Sequence, residues 1–307
     1  MKHPFVRLCL NGGGMRGIFQ LGALQYIEQH SDKPLYQVFH KGMYGVSIGA
    51  VITSLLSFGF TTGQIVQSLD FLMSIQSALA PVRLDKLMNI PTQKGLDDGT
   101  QLRETLRLIF ARKNYEFDKL CVADALCPLK IYASDLTRFK PVCFAPSVKL
   151  WDALRASTSI PFVYTPHVIQ GRVFVDGGVM VDSLMKFLPE SKRDTSLHIY
   201  CTRNRSIGDH TTMPFNEYVA TVMNALYTLE HGSWKTQYPK NICVLENNSI
   251  QALDFAKAKQ QRDKLLDFGS STMKQFVHDQ VHSPETSSIL LDPLDQHTHT
   301  PSDSSPP

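Results

Sequence analysis

The chain has 307 residues, 43% of them hydrophobic, which is enough for one large domain or two small ones. Its formal net charge of +3 is too small to indicate a nucleic-acid partner. The six cysteines are scattered, with no C-x-x-C pair and no histidine at metal-ligand spacing, which is typical of free thiols in a reducing compartment. No apolar run reaches the roughly eighteen residues of a transmembrane helix, and the stretch Met1–Leu10 is too short for a signal peptide. We therefore expect a cytoplasmic chain without a transmembrane anchor.

The first predicted element is a strand, Phe5–Leu10, which runs into a glycine-rich turn and then a helix with apolar residues at helical spacing. Three consecutive glycines followed by an arginine suit bare backbone N–H groups curved around an oxyanion and backed by a guanidinium. The candidate oxyanion-binding residues are Gly12, Gly13, Gly14, Arg16 and Gly17.

The same turn also fits a second interpretation. Gly12, Gly14 and Gly17 match G-x-G-x-x-G, the dinucleotide-binding pattern, and Asp32 follows about twenty residues later. That interpretation needs an acidic residue at the end of the second strand. The next predicted strand region, Tyr36–Val46, runs instead into a serine, so the oxyanion interpretation is favoured.

A second glycine-framed turn follows the predicted strand Tyr36–Tyr44. Gly45, Ser47 and Gly49 fit G-x-S-x-G, which places a serine on a sharp strand-to-helix turn with its hydroxyl exposed. The apolar run Ile48–Phe60 predicts a buried helix, whose first N–H groups would face negative charge near the hydroxyl. Taken alone, the pattern also fits an ordinary turn before a buried helix. In a parallel sheet both glycine turns lie at the carboxyl edge, where such sheets place their sites.

The remaining predicted elements alternate along the chain. Helices are predicted at Gly63–Ser74, Thr100–Ala111, Asp118–Leu126, Leu150–Ala156, Phe215–Glu230, Asp254–Phe268 and, after an interruption at Gly269, Met273–Val281. Strands are predicted at Leu129–Ala133, Val142–Ala145, Val168–Gln170, Val173–Val175, Ser196–Cys201 and Asn241–Leu245. The stretch Ile75–Gly99 fits either a lid or core packing with a surface loop.

A third notable position follows the strand Val173–Val175. Asp176 ends this strand, and Gly177 and Gly178 after it keep the carboxylate open and close to other backbone. Judged by itself, Asp176 fits an ordinary turn aspartate equally well.

Together these segments resemble the patatin-like phospholipases. Gly12–Gly17, Gly45–Gly49 and Asp176–Gly178 stand in the order found in that family, and Ala156–Pro161 is similar to its A-S-x-A-x-P segment. The resemblance covers about Val6–Ser183. It implies an α/β fold, a three-layer α/β/α sandwich with a mostly parallel central sheet.

The resemblance also implies a chemistry. Ser47 would be the nucleophile and Asp176 the base of a serine–aspartate dyad, with Gly13, Gly14 and the N–H after Ser47 at the oxyanion. No metal and no cofactor would be required. A carboxylate near its ordinary pKa of about 4 is a poor base for a serine hydroxyl, so water exclusion and oxyanion donors must help. The implied substrates are fatty acyl esters, phospholipids first and neutral glycerolipids second, met at a membrane or micelle surface by a peripheral enzyme.

Two other functions remain open. An α/β-hydrolase triad would add a histidine, His198 or His231, to Ser47 and Asp176. Against it, no histidine lies in a glycine-framed turn. A lipid-binding module with a silent site is the second alternative, although all three glycine-rich segments are intact.

The expected domain organisation is simple. Residues 1–281 would form one hydrolase domain, and residues 282–307, rich in Ser, Thr, Pro and His, a disordered polar tail. The sequence does not predict an oligomeric state.

Overall fold

The computed structural model describes residues 4–74, 90–181, 183–202, 237–252 and 254–281, which are built around a mixed β-sheet. The strands are β1 (Arg7–Leu10), β2 (Met43–Val46), β3 (Leu129–Asp135), β4 (Lys140–Cys143), β5 (His167–Ile169), β6 (Arg172–Val175), β7 (Ser196–Thr202) and β8 (Ile242–Glu246). They stand in the order β5-β6-β3-β2-β1-β7-β8, with β4 also paired to β3.

The centre of this sheet is parallel. Strands β3, β2, β1, β7 and β8 pair in parallel, whereas β4 and β6 pair antiparallel with β3, and β5 antiparallel with β6. The predicted α/β class with a mostly parallel sheet is confirmed. The turns that follow β1 and β2 lie at the same edge, because the strands are neighbours that run the same way.

Helices connect and cover these strands. They are α1 (Gly17–Gln29), α2 (Leu35–Val38), α3 (Ile48–Ser57), α4 (Thr62–Ser74), α5 (Ile90–Gln93), α6 (Thr100–Ala111), α7 (Leu150–Ser157), α8 (Glu190–Arg193), α9 (Phe255–Gln260) and α10 (Arg262–Val281). The predicted bounds of α6 agree with the structure. Its apolar positions fall on one face, and that face is buried in the core.

The sheet buries apolar side chains on both faces. On β1, Leu8 and Leu10 join the larger cluster, which is packed with side chains from α1, α3, α6, α7 and α10. Cys9 points to the other face and joins a smaller cluster. In the described part of the chain, Leu184 and Leu188 belong to the segment that covers this second face.

Two glycines allow α1 and α10 to touch. A Cβ atom on Gly22 would lie 2.0 Å from the Leu266 carbonyl oxygen, and one on Gly269 would lie 2.0 Å from that of Phe19. The predicted interruption at Gly269 is therefore wrong, because α10 runs unbroken from Arg262 to Val281. Glycine marks close helix packing here rather than a helix end.

We expect Gly269→Ala to lower the free energy of unfolding by about 1–3 kcal/mol, because the added methyl group meets backbone that cannot move aside alone. The matched control is Gly63→Ala, also in a helix, where the nearest atom to the added Cβ is the Thr61 hydroxyl at 3.8 Å. Gly63→Ala should leave stability unchanged or slightly higher. Urea denaturation measures both, and equal midpoints would contradict the packing role of Gly269.

Several predicted elements differ from the structure, and one is the helix Asp254–Phe268, which is divided at Gln261 between α9 and α10. The strand predicted at Tyr36–Tyr44 is instead the short helix α2, started by Pro34 with φ −56°, followed by β2 from Met43. The helix predicted at Asp118–Leu126 is two 3-10 turns, Phe117–Lys119 and Val122–Asp124. Extended backbone at Leu120 and Ala125 ends these turns, so no continuous helix forms.

Some predictions concern residues outside those described. These are the first part of the stretch Ile75–Gly99, the helix Phe215–Glu230, His231 and the tail 282–307. Among the residues that the structure does describe, none of the helices combines the length and hydropathy needed to cross a bilayer.

Candidate active site

Ser47 lies on a strained turn between β2 and α3. Its backbone has φ 55° and ψ −127°, a conformation that residues with a side chain rarely adopt. Both flanking glycines are required. A Cβ on Gly45 would lie 2.5 Å from the Cα of Ala50, and one on Gly49 would lie 2.3 Å from the Leu10 carbonyl oxygen. The G-x-S-x-G pattern therefore forms the sharp turn that the sequence predicts.

A second serine holds this turn in place. The Ser47 N–H donates to the Ser157 hydroxyl at 2.9 Å, and that hydroxyl donates to the Tyr132 carbonyl oxygen at 2.7 Å. Ser157 belongs to the segment Ala156–Pro161 at the end of α7. The sequence of this segment resembles a family motif but does not indicate a role for Ser157, because Ser157 and Ser47 are 110 positions apart in the chain.

Asp176 follows β6 and is buried at 3% exposure. Its Oδ1 accepts the Gly178 N–H at 2.8 Å, and its own N–H donates to the Ser159 carbonyl oxygen at 2.8 Å. A Cβ on Gly177 would lie 2.5 Å from the Tyr132 carbonyl oxygen. The segment around Ser157 and Ser159 thus contacts the backbone of both candidate residues.

Strand register brings Ser47 and Asp176 to the same height in the sheet. Val46 pairs with Tyr132, and Val175 pairs with Ser134 in the opposite direction. The next residue after each, Ser47 or Asp176, therefore reaches the level of Ala133. The sequence predicted this proximity from motif order alone.

The Asp176 carboxyl has an unusual pKa. Burial raises the pKa of Asp176 to about 7, opposed only in part by hydrogen bonding from Ser47 and from the Gly178 N–H. The buried Oδ2 accepts no hydrogen bond from the described residues, although the Ser47 hydroxyl is in contact with the carboxyl. Such contacts are often long in free enzymes and tighten with substrate. Burial thus gives Asp176 a pKa above the ordinary value of about 4, at which a carboxylate is a poor base for a serine hydroxyl.

The glycine-rich turn after β1 lies against Ser47. A Cβ on Gly12 would be 3.2 Å from the Ser47 Cβ and 3.9 Å from its Oγ. The N–H groups of Gly12, Gly13 and Gly14 donate to no other described residue, whereas the Met15 N–H donates to the Ala252 carbonyl oxygen at 2.8 Å. Gly12 thus lies against the Ser47 side chain, and none of the three N–H groups has an acceptor among the described residues.

Arg16 and Gly17 have structural positions in this turn. The Arg16 Nε donates to the Gly13 carbonyl oxygen at 3.2 Å, and the side chain is only 6% exposed. A Cβ on Gly17 would lie 2.6 Å from Cγ1 of Ile48, so Gly17 lets α1 approach the start of α3. Arg16 therefore braces the glycine loop through the backbone of Gly13.

We expect Arg16→Ala to lower kcat for ester hydrolysis by roughly 10–100-fold, since loss of the brace displaces the Gly13 backbone. Arg107→Ala is the matched control, because the exposed ion pairs of Arg107 contribute little. Calorimetry with NAD and NADP belongs in the same experiment. Micromolar dinucleotide binding, with ester hydrolysis unaffected by Arg16→Ala, would overturn the oxyanion interpretation.

Asn11 and Gln20 anchor the loop from behind. The Asn11 side chain accepts the Cys201 N–H at 3.0 Å and donates to the Cys201 carbonyl oxygen at 3.3 Å, as a further backbone unit of the sheet would. Gln20 on α1 donates to the Asn11 Oδ1 and carbonyl oxygen, both at 3.0 Å. The sequence assigned neither side chain this role, because the contacts of Asn11 with Cys201 depend on the placement of β7.

Arg155 fixes the segment that joins the two candidate residues. It is 2% exposed, and its guanidinium donates to the Ser159 hydroxyl at 2.5 Å, the Thr165 carbonyl oxygen at 2.8 Å and the Asp98 carbonyl oxygen at 3.1 Å. Burial lowers the Arg155 pKa. A Cβ on Gly99 would lie 2.3 Å from its Nε, so glycine is needed there.

An apolar pocket opens at Ser47. It has a volume of about 910 Å³, its open mouth included, and lies between α1 and α3. The polar side chains in its lining belong to Ser47, Thr158 and Tyr164. Its apolar lining includes Met15, Ile18, Leu21, Val51, Leu55, Ile65 and Leu102. A long hydrocarbon chain next to a polar reacting group fits such a site.

His198, the triad candidate that the structure describes, is not placed next to Ser47. His198 is buried within β7 and pairs with Cys9, which in turn pairs with Tyr44. It therefore lies three residues below Ser47 and two strands away, roughly 10 Å in each direction. His167 on β5 contacts Asp152 through Nε2 at 3.0 Å.

The fold and these motifs define a class of protein. A family model described as patatin-like phospholipase matches residues 8–184, more than half of the chain and both candidate residues. The chain belongs to the patatin-like phospholipase family.

Individual relatives are distant. The probable lipid hydrolase 463L of Invertebrate iridescent virus 6 is 28% identical over 192 residues, 56% of this chain and 59% of that protein. A cUMP-AMP-activated phospholipase of Escherichia coli is 38% identical over 77 residues, 24% of each chain. The match to 463L therefore spans less than two thirds of that protein. The uncharacterized protein R571 of Acanthamoeba polyphaga mimivirus is 22% identical, and the match covers 88% of this chain and 93% of R571.

Two solved structures share the fold. VipD from Legionella pneumophila has a TM-score of 0.52 at 15% identity, covering 89% of this chain and 67% of its own. The type III effector ExoU also has a TM-score of 0.52 at 15% identity, covering 92% and 54%. At such identities these likenesses show the fold alone.

Proposed function

We propose that this chain hydrolyses fatty acyl esters of lipids through an acyl-serine intermediate, with Ser47 as nucleophile and Asp176 as general base. The observation that carries the proposal is the position of Ser47, on a strained turn beside the buried Asp176 carboxyl and at the opening of an apolar pocket. Family membership supports the proposal, as does the similarity to 463L, a probable lipid hydrolase, and to the cUMP-AMP-activated phospholipase of Escherichia coli.

In the first half of the reaction, Asp176 accepts the Ser47 hydroxyl proton as Oγ attacks the ester carbonyl. The developing oxyanion accepts hydrogen bonds from the unused N–H groups of the glycine loop, Gly13 and Gly14 foremost, and from the N–H of Ile48 after the nucleophile. Each such donor typically contributes roughly 3 kcal/mol to the transition state. Asp176 then gives its proton to the leaving alcohol, and the acyl group remains on Ser47.

In the second half, water hydrolyses the acyl-serine. Asp176, ionised again, takes a proton from that water, and the Ser47 Oγ leaves with the proton as the fatty acid is released. A carboxyl whose pKa is about 7 is a far better base for both halves than an ordinary aspartate. Burial of Asp176 thus supplies the help that the sequence interpretation required.

Phospholipid is the proposed first substrate, and neutral glycerolipid the second. A release assay with phospholipid, lysophospholipid and triacylglycerol, each with and without a chelator, tests this order. Fatty acid release from phospholipid in both conditions is the expected result. Release from none of the three lipids would contradict the proposed function.

The pH dependence is a separate expectation. Because only the ionised carboxylate accepts a proton, kcat/KM should rise with pH through a midpoint of about 7 and be lost below it. A soluble short-chain ester is the right substrate, since its concentration does not depend on a lipid surface. A midpoint near 4, the ordinary value for an aspartate, would contradict the raised pKa of Asp176.

A further inference from the structure

A few large apolar side chains of the described residues are exposed. They are Leu108 (53%), Leu126 (53%), Phe139 (81%), Phe162 (51%) and Val168 (58%). Single exposed apolar residues are ordinary in soluble proteins, whereas a group of them on one side marks an interaction surface. Phe139 and Val168 lie on two hairpins at the carboxyl edge of the sheet, and Phe162 lies in the segment that leads into one of them.

Phe139 projects beyond Ser47. The pairing of Val46 with Tyr132 puts Ser47 at the level of Ala133, and the pairing of Asp135 with Lys140 puts Phe139 at the level of Leu136. Three residues of strand correspond to roughly 10 Å. Phe139 therefore stands roughly 10 Å further out than Ser47 along the strands, on a turn with φ 49°.

Val168 lies at the same height on the neighbouring hairpin of β5 and β6. It pairs with Val173, whose carbonyl oxygen accepts the Leu136 N–H at 2.9 Å. The Val173 N–H donates to the Thr137 hydroxyl at 2.9 Å, so the two hairpins are bonded together. Phe139 and Val168 thus project from one joined rim.

Phe162 belongs to the segment 160–164, which contributes to the lining of the apolar pocket. Ile160, Val163 and Tyr164 on either side of it line the pocket, while Phe162 itself faces solvent. Its φ of 68° is unfavourable for an aromatic residue. An exposed aromatic side chain on a strained backbone, next to residues that line an apolar pocket, is consistent with a contact between Phe162 and another molecule.

The charge of this rim is positive. The segments 136–141 and 160–172 contain Arg138, Lys140 and Arg172 and no acidic residue. Arg172 pairs with the buried Asp135, whereas Arg138 and Lys140 are exposed on either side of Phe139 in the sequence. Apolar side chains flanked by cations suit a lipid surface that carries negative headgroups.

We infer that Phe139, Phe162 and Val168, with Arg138 and Lys140, form an interfacial surface that docks on an anionic lipid bilayer. Docking would press the pocket mouth against the lipid, so that an acyl chain enters between α1 and α3 without crossing water. The inference rests on the proposed function for its purpose, but the binding itself does not require an active Ser47.

The test uses the Ser47→Ala full chain and sedimentation with two kinds of vesicle, phosphatidylcholine alone and phosphatidylcholine mixed with phosphatidylserine. We expect stronger binding to the mixed vesicles, weakened by added salt. Phe139→Ser with Val168→Ser should weaken that binding by more than about tenfold, because two apolar contacts with lipid are lost. Arg138→Gln with Lys140→Gln should remove the preference for phosphatidylserine.

Leu108→Ser with Leu126→Ser is the matched control, since both leucines are equally exposed but lie away from the rim. Equal losses in control and rim variants, or no binding by the parent chain, would overturn the inference. In the background with Ser47 intact, the rim variants should hydrolyse a soluble short-chain ester normally and vesicle phospholipid poorly. Failure of the proposed function would appear differently, as vesicle binding without any hydrolysis.

Discussion

Asp176→Asn is expected to remove nearly all ester hydrolysis, a loss of about 10²–10⁴-fold in kcat. Asparagine preserves the shape of the side chain and can keep the hydrogen bond from the Gly178 N–H, but its amide cannot accept the Ser47 proton. The measurement is steady-state turnover of a short-chain ester and of phospholipid vesicles by the purified variant.

The histidines provide the control for this variant. His167→Gln and His198→Gln should each lose less than about tenfold, as neither ring is placed to reach Ser47. His231→Gln completes the set from the sequence. One folded histidine variant without activity would favour a Ser-Asp-His triad over the dyad.

Asp176→Asn should also change stability, in a direction that a passive residue would not produce. The native carboxyl has a pKa of about 7 and the unfolded one about 4, so between these pH values the native state holds the extra proton. Stability of the parent chain therefore falls as pH rises through this window, by up to roughly 4 kcal/mol. The variant lacks this loss and should be more resistant to urea than the parent at pH above 7.

Ser47→Ala is expected to abolish ester hydrolysis, by at least about 10⁴-fold, because no other group of the site can carry the acyl intermediate. The fold should remain intact, because a φ of 55° is about as unfavourable for alanine as for serine, and the backbone N–H that donates to the Ser157 hydroxyl is kept. Circular dichroism and urea denaturation verify the fold, and full activity in a folded variant would contradict the whole scheme.

Much of the fold follows from local sequence patterns. The predicted bounds of Thr100–Ala111 agree with the structure, because the buried residues Leu102, Leu106, Ile109 and Phe110 repeat at helical spacing. Gly269 misled the prediction, since a glycine that ends a helix and one that admits a neighbouring helix look alike in sequence. The strand predicted at Tyr36–Tyr44 is wrong for a related reason, because a single turn of helix after Pro34 is too short to show helical periodicity in the sequence.

The candidate site also contains residues that the sequence indicates and residues that only the structure reveals. Ser47, Asp176 and the glycines around them can be found from the sequence, because they stand in short motifs, even where the contact that requires the glycine, as between Gly49 and Leu10, is distant in sequence. Ser157 and Arg155 are not visible, because their partners are brought near only by the packing of α7 on β3. The raised pKa of Asp176 is likewise a product of burial, which no short motif encodes.

The central claim, that Ser47 is the nucleophile, has one direct measurement. The parent chain is treated with a fluorophosphonate, digested and mapped by mass spectrometry, alongside Ser47→Ala and Asp176→Asn. We expect one label in the parent chain, on the peptide that contains Ser47. The label should be absent from Ser47→Ala and should form much more slowly in Asp176→Asn. A label on another serine, or equal labelling of the Ser47→Ala chain, would contradict it.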